Sequence, residues 1–84
     1  LGREVCELEA AVWAAGAEKY SPGNWLKGQS TTKAAGSLLR HLTAYLAGED
    51  NDPESGLPHI GHVITSAKIL ANGQLKGFDD RGEG

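Results

Sequence analysis

The segment from Arg40 to His62 concentrates the residues of this chain that can do chemistry. It contains all three histidines and four of the eleven acidic residues. Imidazole nitrogens and carboxylate oxygens are the ligands that proteins use for Mn, Fe, Ni and Zn ions. The cluster indicates a divalent metal site of unspecified metal, although its spacing matches neither a zinc finger nor HExxH. The candidate metal ligands are His41, Glu49, Asp52, His59 and His62.

His59 and His62 stand three positions apart, and on a helix this spacing directs both rings from one face. A cationic histidine is disfavoured at a helix N-terminus, whereas a neutral one that binds a metal or a hydrogen-bond partner is not. A structural alternative stays open: the imidazoles cap or bridge the surrounding helices through hydrogen bonds, and the loop acids are solvated.

A second group of candidate residues lies upstream of this cluster. Two lysines flank two aromatic residues and an amide within one short segment. A nucleobase can stack on an aromatic ring while lysines meet phosphates, but the same aromatic residues could instead close the bottom of a small core. These residues are Lys19, Tyr20, Asn24, Trp25 and Lys27.

Apolar periodicity predicts that three helices position these groups, because no stretch sustains the alternation of a strand. We expect the second and third helices to form an antiparallel hairpin, in which the end of one helix lies beside the start of the next. The three histidines and the loop acids then converge at one end. The expected helices run from Arg3 to Tyr20, from an N-cap within residues 30–32 to about Leu46, and from Pro58 to just before Asn72.

Each predicted helix carries an apolar stripe that should face the core. The clearest is on the second helix, where His41 flanks the stripe. Its members are Ala35, Leu38, Leu39, Leu42, Tyr45 and Leu46, and those of the third helix are Ile60, Val63, Ile64, Ala67 and Leu70.

Length and composition limit the core that these helices can build. The 84 residues include twelve glycines, and 39% are hydrophobic. A chain of this size buries roughly 60–65% of its extended surface, so subunit association should supplement the core. The prediction is an all-α, three-helix unit that assembles into an oligomeric helical bundle, with one domain over residues 1–74 and a flexible tail over residues 75–84.

Charge and cysteine content exclude several classes of protein. A net charge of −3 and a pI near 5.5 argue against a binder of duplex nucleic acid, which needs a basic face. The single cysteine cannot form an internal disulfide, and no segment is apolar and long enough to span a membrane. We therefore expect a cytoplasmic protein.

Two stretches, GAEKYSPGNWLKG and LLRHLTAYLAGEDNDPESGLPHIGHV, resemble the phage-type dATP/dGTP diphosphohydrolase N-terminal family. That family looks related to the all-α MazG-like nucleoside triphosphate pyrophosphatases. The resemblance covers roughly Gly16 to Leu70 and is carried by K-Y-x-x-x-N-W, R-H, G-E-D-x-D-P-E-S-G and H-x-x-H in that order. It implies a bacteriophage-type helical oligomer, in the host cytoplasm if phage-encoded. The implied reaction converts purine deoxynucleoside triphosphates to monophosphate and pyrophosphate with Mg²⁺ or Mn²⁺.

The histidines set this chain apart from the wider MazG-like pattern. Those enzymes hold metals with an E-E-x-x-E run on one helix and an E-x-x-D pair on the next. Here His59 and His62 correspond to the second pair, and no acidic run lies around Arg40 and His41. Because Mg²⁺ prefers oxygen ligands, the imidazoles should shift the preference toward a transition metal or lower the affinity for the ion.

Two functional hypotheses follow. In the first, the metal activates water for hydrolysis, Glu49 and Asp52 are the catalytic carboxylates, and the substrate is held by Lys19, Asn24, Trp25, Lys27 and Arg40. In the second, the chain is a non-catalytic helical oligomerisation or binding module, and the histidine and carboxylate cluster is structural.

Overall fold

The chain folds as an all-α protein, as predicted. The structure, a computed structural model, describes residues 2–16 and 31–77. Within these ranges the only β-type pairing is an isolated antiparallel bridge between Asn51 and Pro58. The helices of the described residues are α1 (Arg3–Ala15), α2 (Thr31–Leu46) and α3 (His59–Lys76). None of these helices has the length and apolarity needed to cross a membrane.

Helix α3 is the centre of the fold. Both α1 and α2 pack on α3, and they do not pack on each other. His41, late in α2, contacts His59 and His62 at the start of α3, so α2 and α3 run antiparallel. The predicted helical hairpin is therefore present, and it brings all three histidines to one end.

A glycine sets the close approach between α1 and α3. A Cβ atom on Gly61 would lie 2.8 Å from Cγ2 of Val12 and 2.9 Å from Cγ of Leu8, closer than carbon atoms pack. Val12 is almost fully buried at this crossing. Only glycine at position 61 lets α1 pack this closely beside the two histidines that flank it in sequence.

A polar contact reinforces the same helix pair. The Lys68 ammonium lies 2.6 Å from Oε2 of Glu9, and the Trp13 indole N–H donates to the same oxygen at 3.0 Å. The hydrogen bond from Lys68, followed by that from Trp13, lowers the pKa of Glu9. These contacts hold α1 against α3 along the edge of their interface.

The hairpin buries small and polar side chains, which the apolar stripes did not predict. On α2 the buried residues are Thr31, Ala34 and His41, whereas Leu39 and Leu46 are 59% and 74% exposed. The stripe prediction is right in part, because Ala35, Leu38 and Leu42 are half-buried while the most buried positions are small or polar. All buried polar side-chain atoms among the described residues have hydrogen-bond partners, so this polar interface is satisfied.

Two helix ends differ from the prediction. Helix α1 ends at Ala15 rather than Tyr20, because Gly16 is a poor helix former and serves as the C-cap. Helix α3 continues through Gly73 to Lys76, where Gly77 closes it in the left-handed conformation (φ 81°). Burial of Gly73 against the rest of the fold offsets its low helix propensity.

Candidate metal centre

The loop between α2 and α3 folds back on itself and fixes the position of Asp52. The Asp52 amide donates to the Leu57 carbonyl at 2.8 Å, and the Asp52 carbonyl accepts from the Gly56 amide at 2.7 Å. The Glu54 amide donates to Oδ1 of Asp52 at 3.1 Å. Gly56 has a positive φ of 73°, which a side chain would disfavour. These bonds orient the Asp52 carboxylate while leaving Oδ2 available.

The three imidazoles meet where this loop joins the hairpin. The His41 ring stacks on the His62 ring with a centroid separation of 4.4 Å and an interplanar angle of 11°. The His41 ring is tilted by 47° against the His59 ring, and the centroids of these two rings are 5.1 Å apart. His41 and His59 are buried, so their ring nitrogens depend on protein partners.

His41, Asp52 and His62 form a group that could hold a metal ion. One ligand atom from each lies within 4.8 Å of the others, and Nε2 of His62 is 3.5 Å from Oδ2 of Asp52. Ligands about 2.1 Å from an ion are separated by up to about 4.2 Å, so small side-chain shifts close the group around one ion. Two imidazoles and one carboxylate suit Mn, Fe or Zn better than Mg. The donor set therefore fits a transition metal.

The predicted ligand set divides into two layers. Glu49 and His59 are not among the three converging groups. Instead Oε1 of Glu49 lies 2.7 Å from Nε2 of His59, whose Nδ1 lies 2.8 Å from Nδ1 of His41. Both nitrogens of His59 are thus engaged by protein atoms, and Glu49 reaches the group only through this ring.

Ser55 is a contact of the site that the sequence did not single out. Its Oγ accepts from the Leu57 amide at 3.2 Å and lies 2.8 Å from Nε2 of His62. With that amide donating, the Ser55 hydroxyl can donate its own proton to Nε2 of His62 when that nitrogen holds no ion. The only sequence signal for Ser55 is the turn-forming composition of its segment. Such a composition predicts hydrogen bonds from side chains to the nearby backbone, but it does not predict a partner on a helix.

A cavity of about 430 Å³ opens beside the three groups. It lies between α1 and α2, with α3 and the loop completing its wall. Arg40 lines it, and its Nη2 lies 3.5 Å from Nε2 of His41. The cavity thus places a guanidinium beside the candidate ligands. The lining residues with polar or charged side chains are Ser37, Arg40, His41, Asp52, Glu54, Ser55, His62 and Ser66.

Burial and neighbouring charges set the protonation of the group. Burial lowers the pKa of His41 to about 4, and the positive charges of His62 and Arg40 act in the same direction. Burial acts to raise the pKa of Asp52, but the Glu54 amide and the nearby imidazoles outweigh it, so the net shift is downward. At neutral pH, His41 is neutral and Asp52 is ionised, which are the forms that bind metals.

The upstream group of candidate residues is not described by the structure. Arg40 is the one predicted substrate-binding residue within the described ranges, and it lines the cavity. The other candidates, Lys19, Asn24, Trp25 and Lys27, together with Tyr20, lie outside the described residues.

The chain belongs to the family described as dATP/dGTP diphosphohydrolase, N-terminal, which matches residues 2–81. This match confirms the family resemblance. It spans the hairpin, the loop and all three histidines. No curated protein and no solved structure matches the chain significantly.

Proposed function

We propose that this domain binds a divalent transition metal at His41, Asp52 and His62 and hydrolyses dATP and dGTP to monophosphate and pyrophosphate. Membership of the diphosphohydrolase family supports the substrate class. The observation that carries the proposal is the convergence of three ligand atoms within 4.8 Å of one another. These ligands line a cavity that also contains Arg40.

Some of these residues would hold the ion, and others would contact the substrate. A bound ion would polarise a phosphoryl oxygen and lower the pKa of the attacking water. Asp52 contributes the negative charge of the ligand set, and His41 and His62 contribute neutral nitrogens. Arg40 donates hydrogen bonds to the triphosphate, whose charge the acidic domain otherwise repels. Lys19 and Lys27 stay predicted phosphate contacts.

We also propose that the domain acts as a homo-oligomer. Leu39, Tyr45 and Leu46 present large apolar surface on α2 that the described residues do not cover. Exposed apolar patches on small domains mark association sites. A second copy of the chain would supply the apolar surface that the thin core lacks.

Product analysis tests the reaction. Purified protein is incubated with dATP or dGTP and Mn²⁺, Co²⁺ or Mg²⁺, and the nucleotides and inorganic phosphates are separated by ion-exchange chromatography. We expect monophosphate and pyrophosphate in equal amounts, with Mn²⁺ or Co²⁺ more effective than Mg²⁺. Diphosphate with orthophosphate would contradict the proposed bond cleavage.

A matched pair of variants assigns the activity to the site. His62→Ala removes a ligand, whereas Gln74→Ala changes an exposed residue on the same helix, far along α3. We expect His62→Ala to lose at least about 100-fold in rate, more than changes to supporting residues cost. Equal rates in the two variants, or no turnover with any metal, would favour the non-catalytic module.

A further inference from the structure

Glu49, His59 and His41 form a continuous hydrogen-bonded chain from the surface to the candidate metal group. Oε1 of Glu49 is 2.7 Å from Nε2 of His59, and the two Nδ1 atoms of His59 and His41 are 2.8 Å apart. His59 and His41 are only 4% and 5% exposed, whereas the Glu49 side chain is 53% exposed. Two buried rings are therefore anchored by one carboxylate at the surface.

The chemistry of each group fixes where the protons lie. An ionised carboxylate only accepts, so Nε2 of His59 carries the proton that faces Glu49. A neutral imidazole has a single N–H, so Nδ1 of His59 is then an acceptor. With His59 neutral, the short contact between the two Nδ1 atoms has His41 donating from Nδ1.

The remaining nitrogen of His41 is left with a lone pair. Its Nε2 lies 3.5 Å from Nη2 of Arg40, a group that only donates hydrogen bonds. This neighbour agrees with an acceptor at Nε2. Because Nδ1 is committed to His59, Nε2 is the nitrogen of His41 left to bind an ion, and one His41 nitrogen lies within 4.8 Å of ligand atoms of Asp52 and His62.

We propose that Glu49 and His59 are positioning residues that hold His41 in the Nδ1–H tautomer and keep its Nε2 ready to bind the metal. This inference rests on the proposed metal site and assigns Glu49 and His59 to its supporting layer, outside the ligand set. A free histidine populates both tautomers, and the wrong one must lose a proton from Nε2 before it can bind. Partners that orient metal-bound histidines typically contribute about 10–100-fold to affinity.

The burial of each group predicts how strongly its substitution should weaken metal binding. His59→Phe leaves the buried Nδ1–H of His41 without its acceptor, so it should have the largest effect. Glu49→Ala leaves an N–H of His59 near the surface, where water can partly replace the carboxylate. Glu49→Gln keeps an acceptor oxygen at the same place, so it should retain most of the metal affinity that Glu49→Ala loses. Asp50→Ala, at the exposed neighbouring position, is the control.

The first measurement is made on metal-free protein. Long-range ¹H–¹⁵N correlation spectra of ¹⁵N-histidine-labelled chain report which ring nitrogen of His41 is protonated. We expect the Nδ1–H form in the parent, Glu49→Gln and Asp50→Ala, and a mixture of tautomers in Glu49→Ala. A proton on Nε2 of His41 in the parent would overturn the positioning role.

The second measurement is Zn²⁺ affinity by calorimetry on the same proteins. We expect at least about a 10-fold loss in Glu49→Ala, a larger loss in His59→Phe, and little change in Glu49→Gln and Asp50→Ala. Equal affinity in Glu49→Ala and Asp50→Ala would overturn the inference and leave the metal site standing. Absence of binding in the parent would overturn the metal site itself, and the positioning role with it.

Discussion

The rings of His41 and His62 stack in parallel, 4.4 Å apart, although they belong to different helices. His41 is in α2 and His62 is in α3, and the loop between the helices supplies Asp52. The candidate ligand set therefore exists only while the hairpin is closed. Metal binding and folding of the hairpin should be thermodynamically linked, because an ion that binds the folded state stabilises it.

Zn²⁺ or Mn²⁺ should raise the thermal unfolding temperature relative to chelator-treated protein. A ligand at about 100 times its Kd stabilises the folded state by about 2.7 kcal/mol. Differential scanning fluorimetry across a metal titration measures the shift. His62→Ala should abolish most of the shift, whereas Gln74→Ala should retain it. A shift of the same size in both variants would place the bound ion elsewhere.

The metal-free protein should lose stability as the pH falls below neutral. Burial lowers the pKa of His41 from the ordinary histidine value of 6.5 to about 4. Between these values the unfolded chain binds a proton at this histidine that the folded chain does not, so acid favours unfolding. The loss should be on the order of 2–3 kcal/mol between pH 7 and pH 4.

Urea unfolding at several pH values, with chelator present, measures this loss. His41→Gln removes the titrating group and should flatten the profile over the same interval, even if it lowers stability overall. A profile equally steep in the parent and His41→Gln would assign the acid sensitivity to other groups.

Gly61→Ala should destabilise the fold by displacing α1. The added methyl group would lie within 2.9 Å of side-chain atoms of Leu8 and Val12. Overpacking of this kind typically costs about 1–3 kcal/mol. Gly36→Ala is the matched control, because a Cβ there meets nothing within 4 Å and position 36 is exposed on a helix.

Chemical denaturation compares the two variants directly. Gly36→Ala should be neutral or gain up to about 1 kcal/mol from helix propensity. If Gly61→Ala were as stable as Gly36→Ala, the close contact between α1 and α3 would be refuted.

Sequence reasoning succeeded where a signal is local and repeated. The hairpin followed from apolar periodicity; in the structure Gly48, with a φ of 98°, lies just past the end of α2. Convergence of the histidines followed from the antiparallel arrangement, since His41 precedes the loop by a few residues and His59 follows it directly.

Other features depended on side-chain geometry that spacing does not encode. Whether His59 binds an ion or supports His41 is decided by which ring nitrogen faces which partner. Ser55 reaches His62 only because the loop folds back. The most buried positions of α2 were missed because they are small or polar, and apolar periodicity does not mark such residues.

The exposed leucines lead to a prediction about assembly. Static light scattering at micromolar concentration should give at least a dimer, and Leu46→Glu should lower the association constant by placing charge on the apolar patch. Gln74→Glu adds the same charge at another exposed position of the hairpin and serves as control. A stable species near 8.8 kDa in the parent would contradict the oligomer.

The most direct test of the central claim is a titration of the Asp52→Asn and Asp50→Asn variants with Mn²⁺. Electron paramagnetic resonance measures the binding. Both substitutions remove one negative charge from the same loop, but only Asp52 lies with His41 and His62. We predict at least about a 10-fold loss of Mn²⁺ affinity in Asp52→Asn and near-parental affinity in Asp50→Asn. Equal affinities in the two variants, or no Mn²⁺ binding in the parent, would contradict the proposed metal centre.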